Sequence, residues 1–185
     1  MNSQNSILTV ILKWSSLALL VGYSVTFSSH ATASAEMPKD LKLVGESNLS
    51  VWWWDIYDAQ LFTESGRYQT EELPLLLSIT YNRDIDSADL IDETDSQWER
   101  FKIDEKQRKA WVEQLTGLWP DVRKDDNISF HIDKLGNCHF YFNGEFIGTV
   151  SDPNFSTSFS AIWLAENSAY PKMTQRLTGR NSNKK

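Results

Sequence analysis

Cysteine is almost missing from this chain: Cys138 is the only one in 185 residues. No intrachain disulfide can form, so stability has to come from packing even in a compartment that would permit crosslinks. Histidine is scarce as well, at three residues. His131 and His139 would face each other across a hairpin, yet a zinc site usually needs three or more protein ligands. The neighbouring Asp133 and Cys138 stand at no recognised ligand spacing, so no metal and no cofactor is expected. Cys138 lies among aromatics in a strand-like run, which reads as a buried, inert thiol. Positive charge is in deficit, with 18 Lys and Arg against 25 Asp and Glu and a net charge of −7. That balance argues against nucleic acid as a partner and disfavours anionic membrane, so an anionic ligand would have to be captured by a local cation. There is no G-x-S-x-G elbow, no phosphate-cradling glycine loop and no zinc-protease helix.

Long apolar runs are also lacking, with one exception at the amino terminus. Lys13 precedes the apolar stretch from Trp14 to Phe27, and Ala33-Ser34-Ala35 supplies small residues before Glu36. That order reads as a cleavable secretory signal over residues 1–35. The stretch is too short to span a bilayer comfortably, which takes roughly 17–25 residues, so no membrane span is expected in the mature form. The remainder fits one domain over residues 36–179 and a disordered polar tail over 180–185.

What the chain has in quantity is aromatic residues: eight Trp, nine Phe and six Tyr. The run Leu49 to Phe62, LSVWWWDIYDAQLF, reads as a strand, followed by a turn at Ser65-Gly66 and a second strand from Leu73 to Ile85, LPLLLSITYNRDI. Alternation puts Leu75, Leu77, Ile79, Tyr81, Arg83 and Ile85 on one face of the latter, and Leu76, Ser78, Thr80, Asn82 and Asp84 on the other. Arg83 is thereby expected in register with core residues. A guanidinium cannot shed its charge, so a desolvated Arg83 needs an anion: Asp55, Asp84, Asp86, or a bound acid. Three consecutive tryptophans, Trp52 to Trp54, cannot all face one side of a strand; each read alone is best explained as packing.

Further along, Asp86-Ser87 reads as a helix start, with Leu90, Ile91, Thr94, Trp98 and Phe101 at helical spacing. A second helix is expected from about Asp104 to Leu118, burying Trp111, Leu115 and Leu118 and stopping at Pro120. NISFHID, CHFYF and FIGTV then predict a three-stranded meander, with Gly136 in one turn and Asn143-Gly144 forming a type I′ hairpin. Asp152-Pro153 opens a helix carrying the stripe Phe155, Phe159, Ile162 and Trp163. A last helix starts near Pro171, turns Met173 and Leu177 inward and ends at Gly179.

Taken in order, VWWWDIYDAQLF, ITYNRDI, FNGEFIGTVSDPNF, FSAIWL and the closing RLTG helix resemble the chalcone isomerase-like family of exported bacterial proteins. The resemblance implies an α+β fold, a large antiparallel sheet covered on one side by a layer of helices, with a ligand cleft between the layers. The signal read over residues 1–35 adds the expectation of a periplasmic location. Plant enzymes of the superfamily cyclise a chalcone in that cleft, while other members bind fatty acids without catalysis, and fold alone does not choose between them. The plant motif places an arginine before, and a threonine within, the strand resembling VWWWDIYDAQLF; Gly45 to Leu61 contains neither. Candidate ligand contacts are then Tyr81 and Arg83, joined by Tyr57, Asp55 and Trp54. Arginine and tyrosine together could grip a carboxylate, with apolar residues taking the chain. The sequence-based expectation is therefore a non-catalytic binder of a fatty acid or similar amphipathic or aromatic acid. Two alternatives stay open: an intramolecular lyase or isomerase using Tyr81 or Arg83 on a conjugated carbonyl substrate, and an envelope protein-interaction module using the tryptophans as an exposed patch.

Overall fold

A computed structural model describes residues 36–70 and 72–180. The expected signal segment and residues 181–185 of the expected tail lie outside the described residues. Ten elements follow one another: β1 (Lys42–Val51), β2 (Trp54–Thr63), β3 (Leu75–Tyr81), α1 (Ser87–Arg100), α2 (Glu105–Thr116), β4 (Asn127–Ile132), β5 (Cys138–Phe142), β6 (Glu145–Val150), α3 (Pro153–Leu164) and α4 (Pro171–Leu177). The six strands form one sheet in chain order, antiparallel at every step. The α1–α2 pair is inserted between β3 and β4 without disturbing that order.

One face of the sheet is apolar. Leu61, Leu77, Phe130 and Phe140 stand opposite one another across β2 to β5, each at most 1% exposed. Helix α3 closes on this row through its expected stripe: the Phe159 ring lies 4.7 Å from Phe130 and 5.5 Å from Phe140. Trp98 of α1 and Trp111 of α2 pack edge-on against Phe155, which is stacked on Phe159 one turn along α3. Their indole N–H groups are both satisfied, Trp98 donating to the Ser158 carbonyl at 3.3 Å and Trp111 to the Asp152 carboxylate at 2.8 Å. That carboxylate also accepts the Asn154 N–H as the α3 cap, so one side chain starts the helix and ties it to α2. The opposite sheet face is polar at its centre, where Asn127, Ser78, Thr80 and Ser129 hydrogen-bond across β3 and β4. A sheet that is greasy on one side and hydroxylated on the other can be covered on only one side. This is the α+β architecture that the resemblance implied.

Strand β1 is pinned by α4. A Cβ on Gly45 would stand 2.2 Å from the Arg176 carbonyl oxygen and 2.7 Å from that of Leu177, so only glycine permits this approach. The hairpins of the carboxyl half follow expectation: Asn143 and Gly144 both have positive φ, at 50° and 84°, as a type I′ turn requires.

Two expectations are corrected. The run Leu49 to Phe62 is not one strand: the chain reverses at Trp52-Trp53, with Val51 paired to Trp54, and LSV belongs to a first strand not anticipated from the sequence. The pleat of the second run also ends at Tyr81. Its backbone is captured there by the 123–126 turn, Tyr81 exchanging bonds with Asp125 and Asp126 at 2.8 Å, and the chain bends through Asn82 and Arg83. Arg83 is therefore exposed and out of register with the core.

Candidate functional site

Sheet and helices part at one end and leave a cavity of about 390 Å³ between them. The sheet contributes Leu49 and Val51 from β1, Ile56 and Tyr57 from β2, Ile79 and Tyr81 from β3, and Ile128 and Phe130 from β4. Opposite stand Asp89, Leu90, Glu93, Thr94 and Gln97 of α1 and Phe159, Ile162 and Trp163 of α3, with Ile85, Trp119 and Tyr170 completing the lining. The volume is in the range of small-molecule sites, and the composition, mostly aliphatic and aromatic with a few polar groups, suits an apolar guest.

Tyr57 and Tyr81 are cross-strand neighbours with rings edge-on at 6.1 Å. The Tyr57 hydroxyl accepts a hydrogen bond from the Trp163 indole N–H at 2.9 Å and donates to the Met173 sulfur at 3.9 Å. One tyrosine thus ties β2 to both α3 and α4. Burial pushes the Tyr57 phenol well above its ordinary value, against the Trp163 bond, which favours the phenolate. Burial likewise raises Tyr81, with no opposing bond. Both phenols are therefore neutral hydrogen-bonding groups at physiological pH, and neither is an activated base or nucleophile.

The charges at the cavity are negative. Asp89 and Glu93 of α1 reach it, while among the described residues no Lys, Arg or His lines it. The expected cation stands just outside. Arg83 lines a shallower groove with Ile56, Asp84, Ile85, Asp86 and Asp89, and Ile56, Ile85 and Asp89 border both spaces. Among the described residues the guanidinium makes no ion pair; it lies over the Trp54 ring, 4.9 Å from the centroid, a cation–π contact. Asp55 is exposed and accepts from the Ser50 hydroxyl across the hairpin.

The five candidate residues thus divide. Tyr57 and Tyr81 line the cavity; Arg83, Trp54 and Asp55 sit at the hairpin end beside its mouth. Sequence reasoning missed Trp119, which follows α2 immediately before the Pro120 stop and is 7% exposed. Asp89 and Glu93 of α1 are exposed, yet both also border the cavity. Helical spacing could have flagged them: Glu93 follows Leu90 of the inward stripe by three residues and Asp89 by four, so the two acids fall along one edge of that stripe. The histidine pair is real but remote: His131 and His139 are paired across β4 and β5 with ring centroids 5.8 Å apart. His139 is held by Thr149 at 2.8 Å and Asp133 at 3.0 Å.

The sequence profile of the chalcone isomerase-like family matches residues 24–179, and the chain belongs to that family. Among individual proteins, it is similar to an uncharacterized protein of Haemophilus influenzae, with 26% identity over 156 residues, covering 84% of this chain and 74% of the other. Among solved structures, it resembles the crystal structure of a fatty-acid binding protein from Arabidopsis thaliana. The TM-score is 0.60 with 8% identity, over 79% of this chain and 90% of that one. At that identity the likeness speaks to the fold.

Proposed function

We propose that the protein is a non-catalytic carrier or binder of a small amphipathic acid, a fatty acid or similar amphipathic or aromatic acid. Its apolar part lies in the sheet–helix cavity and its head group in the adjoining Arg83 groove. The observation that carries this reading is the cavity itself: about 390 Å³, largely apolar, with no cation in its lining. A carboxylate drawn inside would meet Glu93 with no cation beside it, whereas in the groove, although Asp84, Asp86 and Asp89 line it too, it meets the Arg83 guanidinium, which makes no ion pair among the described residues. The fatty-acid binding protein of the same fold supports the ligand class. Turnover of a conjugated carbonyl substrate draws less support from the site: among the described residues no cation lines the cavity, and the Tyr57 hydroxyl, a candidate donor to a developing enolate, is engaged with Trp163 and Met173. A periplasmic site of action, read from residues 1–35, is part of the proposal; N-terminal sequencing of the exported protein, expected to begin near Glu36, tests that part.

The test of binding is native against denaturing mass spectrometry of the gently purified protein, alongside Arg83→Ala. An acid carried by the wild type and depleted in the variant is the expected result. A neutral ligand indifferent to Arg83 would overturn the acid assignment. A cavity that stays empty when offered fatty acids and aromatic acids would overturn the binding reading altogether.

A further inference from the structure

The reversal between β1 and β2 is made of the wrong residues for a turn. Two-residue hairpin loops favour Asn-Gly or Gly-containing pairs, because one or both positions need positive φ. Here the pair is Trp52-Trp53, and Trp52 sits at φ 60°, a left-handed conformation that is an outlier for a bulky side chain. Nothing in the fold compensates. Trp52 is 85% exposed and Trp53 78% exposed, and among the described residues their one aromatic contact is with each other, edge-on at 5.8 Å. Trp54, at 54%, and Val51, at 37%, extend the apolar tip. Backbone strain combined with an unfavourable solvent contact, and no intramolecular return, marks a site whose partner is elsewhere.

The tip also adjoins the cavity. Val51 precedes the turn and lines the mouth, as does Ile56 two residues beyond Trp54. We propose that Trp52 and Trp53 dock the protein on the surface of a zwitterionic phospholipid bilayer, setting the cavity mouth against the lipid so that a ligand passes between bilayer and cavity. The docking stands on the tip alone; the exchange step rests on the function proposed above. Tryptophan fits the occupant, since its apolar ring and N–H donor suit the headgroup level of a membrane. The footprint fits it too. Two or three indoles present on the order of 150–250 Å² each, short of the roughly 800 Å² per partner of a stable protein interface, whereas a bilayer needs no matching surface. Charge chooses the lipid: Asp84, Asp86 and Asp89 line the groove with Arg83, Asp55 is exposed on the hairpin, Arg123 and Lys124 beside Asp84 and Ile85 offset only part of that charge, and the chain carries −7 overall. Attraction is therefore apolar, favours zwitterionic over anionic lipid, and survives salt.

The experiment is co-sedimentation with phosphatidylcholine vesicles, using the chain as the expressing cell exports it, and comparing the parent with Trp52→Gly/Trp53→Asn, which puts glycine at the one turn position with positive φ. That replacement installs the favoured hairpin turn, so its thermal unfolding is expected to match or exceed the parent's. Expected is saturable, salt-insensitive binding by the parent and at least tenfold weaker partition by the variant, with parent tryptophan emission quenched by brominated lipid. Equal vesicle binding by parent and variant would overturn the proposal. So would a parent that ignores vesicles but self-associates through the tip. Uptake of a fluorescent fatty acid from lipid-free solution, measured on both proteins, keeps the two readings apart. Uptake unchanged in the variant leaves the cavity reading in place whatever the vesicles show, and tip-dependent vesicle binding without uptake supports docking while removing the carrier role.

Discussion

Filling the cavity provides the sharpest test of where a ligand's chain lies. Ile162 of α3 lines the cavity, so Ile162→Trp replaces cavity volume with indole and changes none of the polar lining groups. Burying a methylene is worth about 0.8 kcal/mol, and 1.4 kcal/mol is a factor of ten in affinity. Along a homologous series of saturated acids, each added methylene should tighten binding about fourfold until the cavity is full, then add little. If the new indole occupies the space of two methylenes, the plateau moves two carbons shorter and the longest acids lose about 1.6 kcal/mol, or roughly 15-fold. Displacement of a fluorescent fatty acid, measured for each chain length on both proteins, reads this directly. Overpacking can itself cost about 1–3 kcal/mol of stability, so urea unfolding is followed in parallel, and only the plateau position counts. A dissociation constant independent of chain length, or a plateau that Ile162→Trp leaves unmoved in a folded protein, would refute the placement of the chain in this cavity.

Two further predictions concern groups around the fold. Tyr57→Phe removes the acceptor for the Trp163 indole N–H, held at 2.9 Å, and should cost about 1–3 kcal/mol in urea unfolding because a buried donor is left unpaired; a loss below about 0.5 kcal/mol would mean that the N–H finds another partner. For His131, burial first and the neighbouring His139 second hold the pKa below its ordinary value, so the unfolded chain takes up the proton before the folded one does. The resulting stability is complete above about pH 6.5 and is lost as pH falls through the depressed folded value. Urea midpoints at about pH 7.5 and about pH 5.5 should therefore differ more in the wild type than in His131→Asn, and equal drops would refute the assignment. Asp133 is also depressed, its own burial outweighed by bonds from His139, Asn137 and Leu135; its contribution vanishes only at lower pH, below the ordinary carboxylate range, so the two effects separate.

Most of the fold could be read from residue patterns, and the places where reading failed have physical causes. Leu75 to Tyr81, the α1 and α3 stripes and the Asn143-Gly144 hairpin carried the period and the turn residues that their structures need. Strand β1 carried neither: of its ten residues only Ser47 and Leu49 are buried, because it is an edge strand held from outside by α4 at Gly45. Arg83 was misplaced by extending a correct alternation two residues beyond the point where the 123–126 turn ends the strand. No local pattern contains that long-range bond. Tyr57 and Tyr81 were found because they stay inside the pleat, whereas Trp119 lies in the irregular segment after α2, where neither period applies.

The hidden hairpin is the instructive failure, because the signal that would have revealed it was replaced by its opposite. A turn written Asn-Gly would have announced two strands; Trp52-Trp53 made the sequence look like one. Local preference and the realised structure disagree here more sharply than anywhere else among the described residues, and natural chains tolerate such disagreement chiefly at functional positions. The same twelve residues from Val51 to Phe62 hold the exposed tip, the Val51 and Ile56 edges of the cavity mouth, and the Tyr57 hydroxyl that ties sheet to helices. A substitution that made the turn easier to form would thus be expected to improve folding and remove whatever the tip engages, so the direction of that trade distinguishes selection for stability from selection for contact.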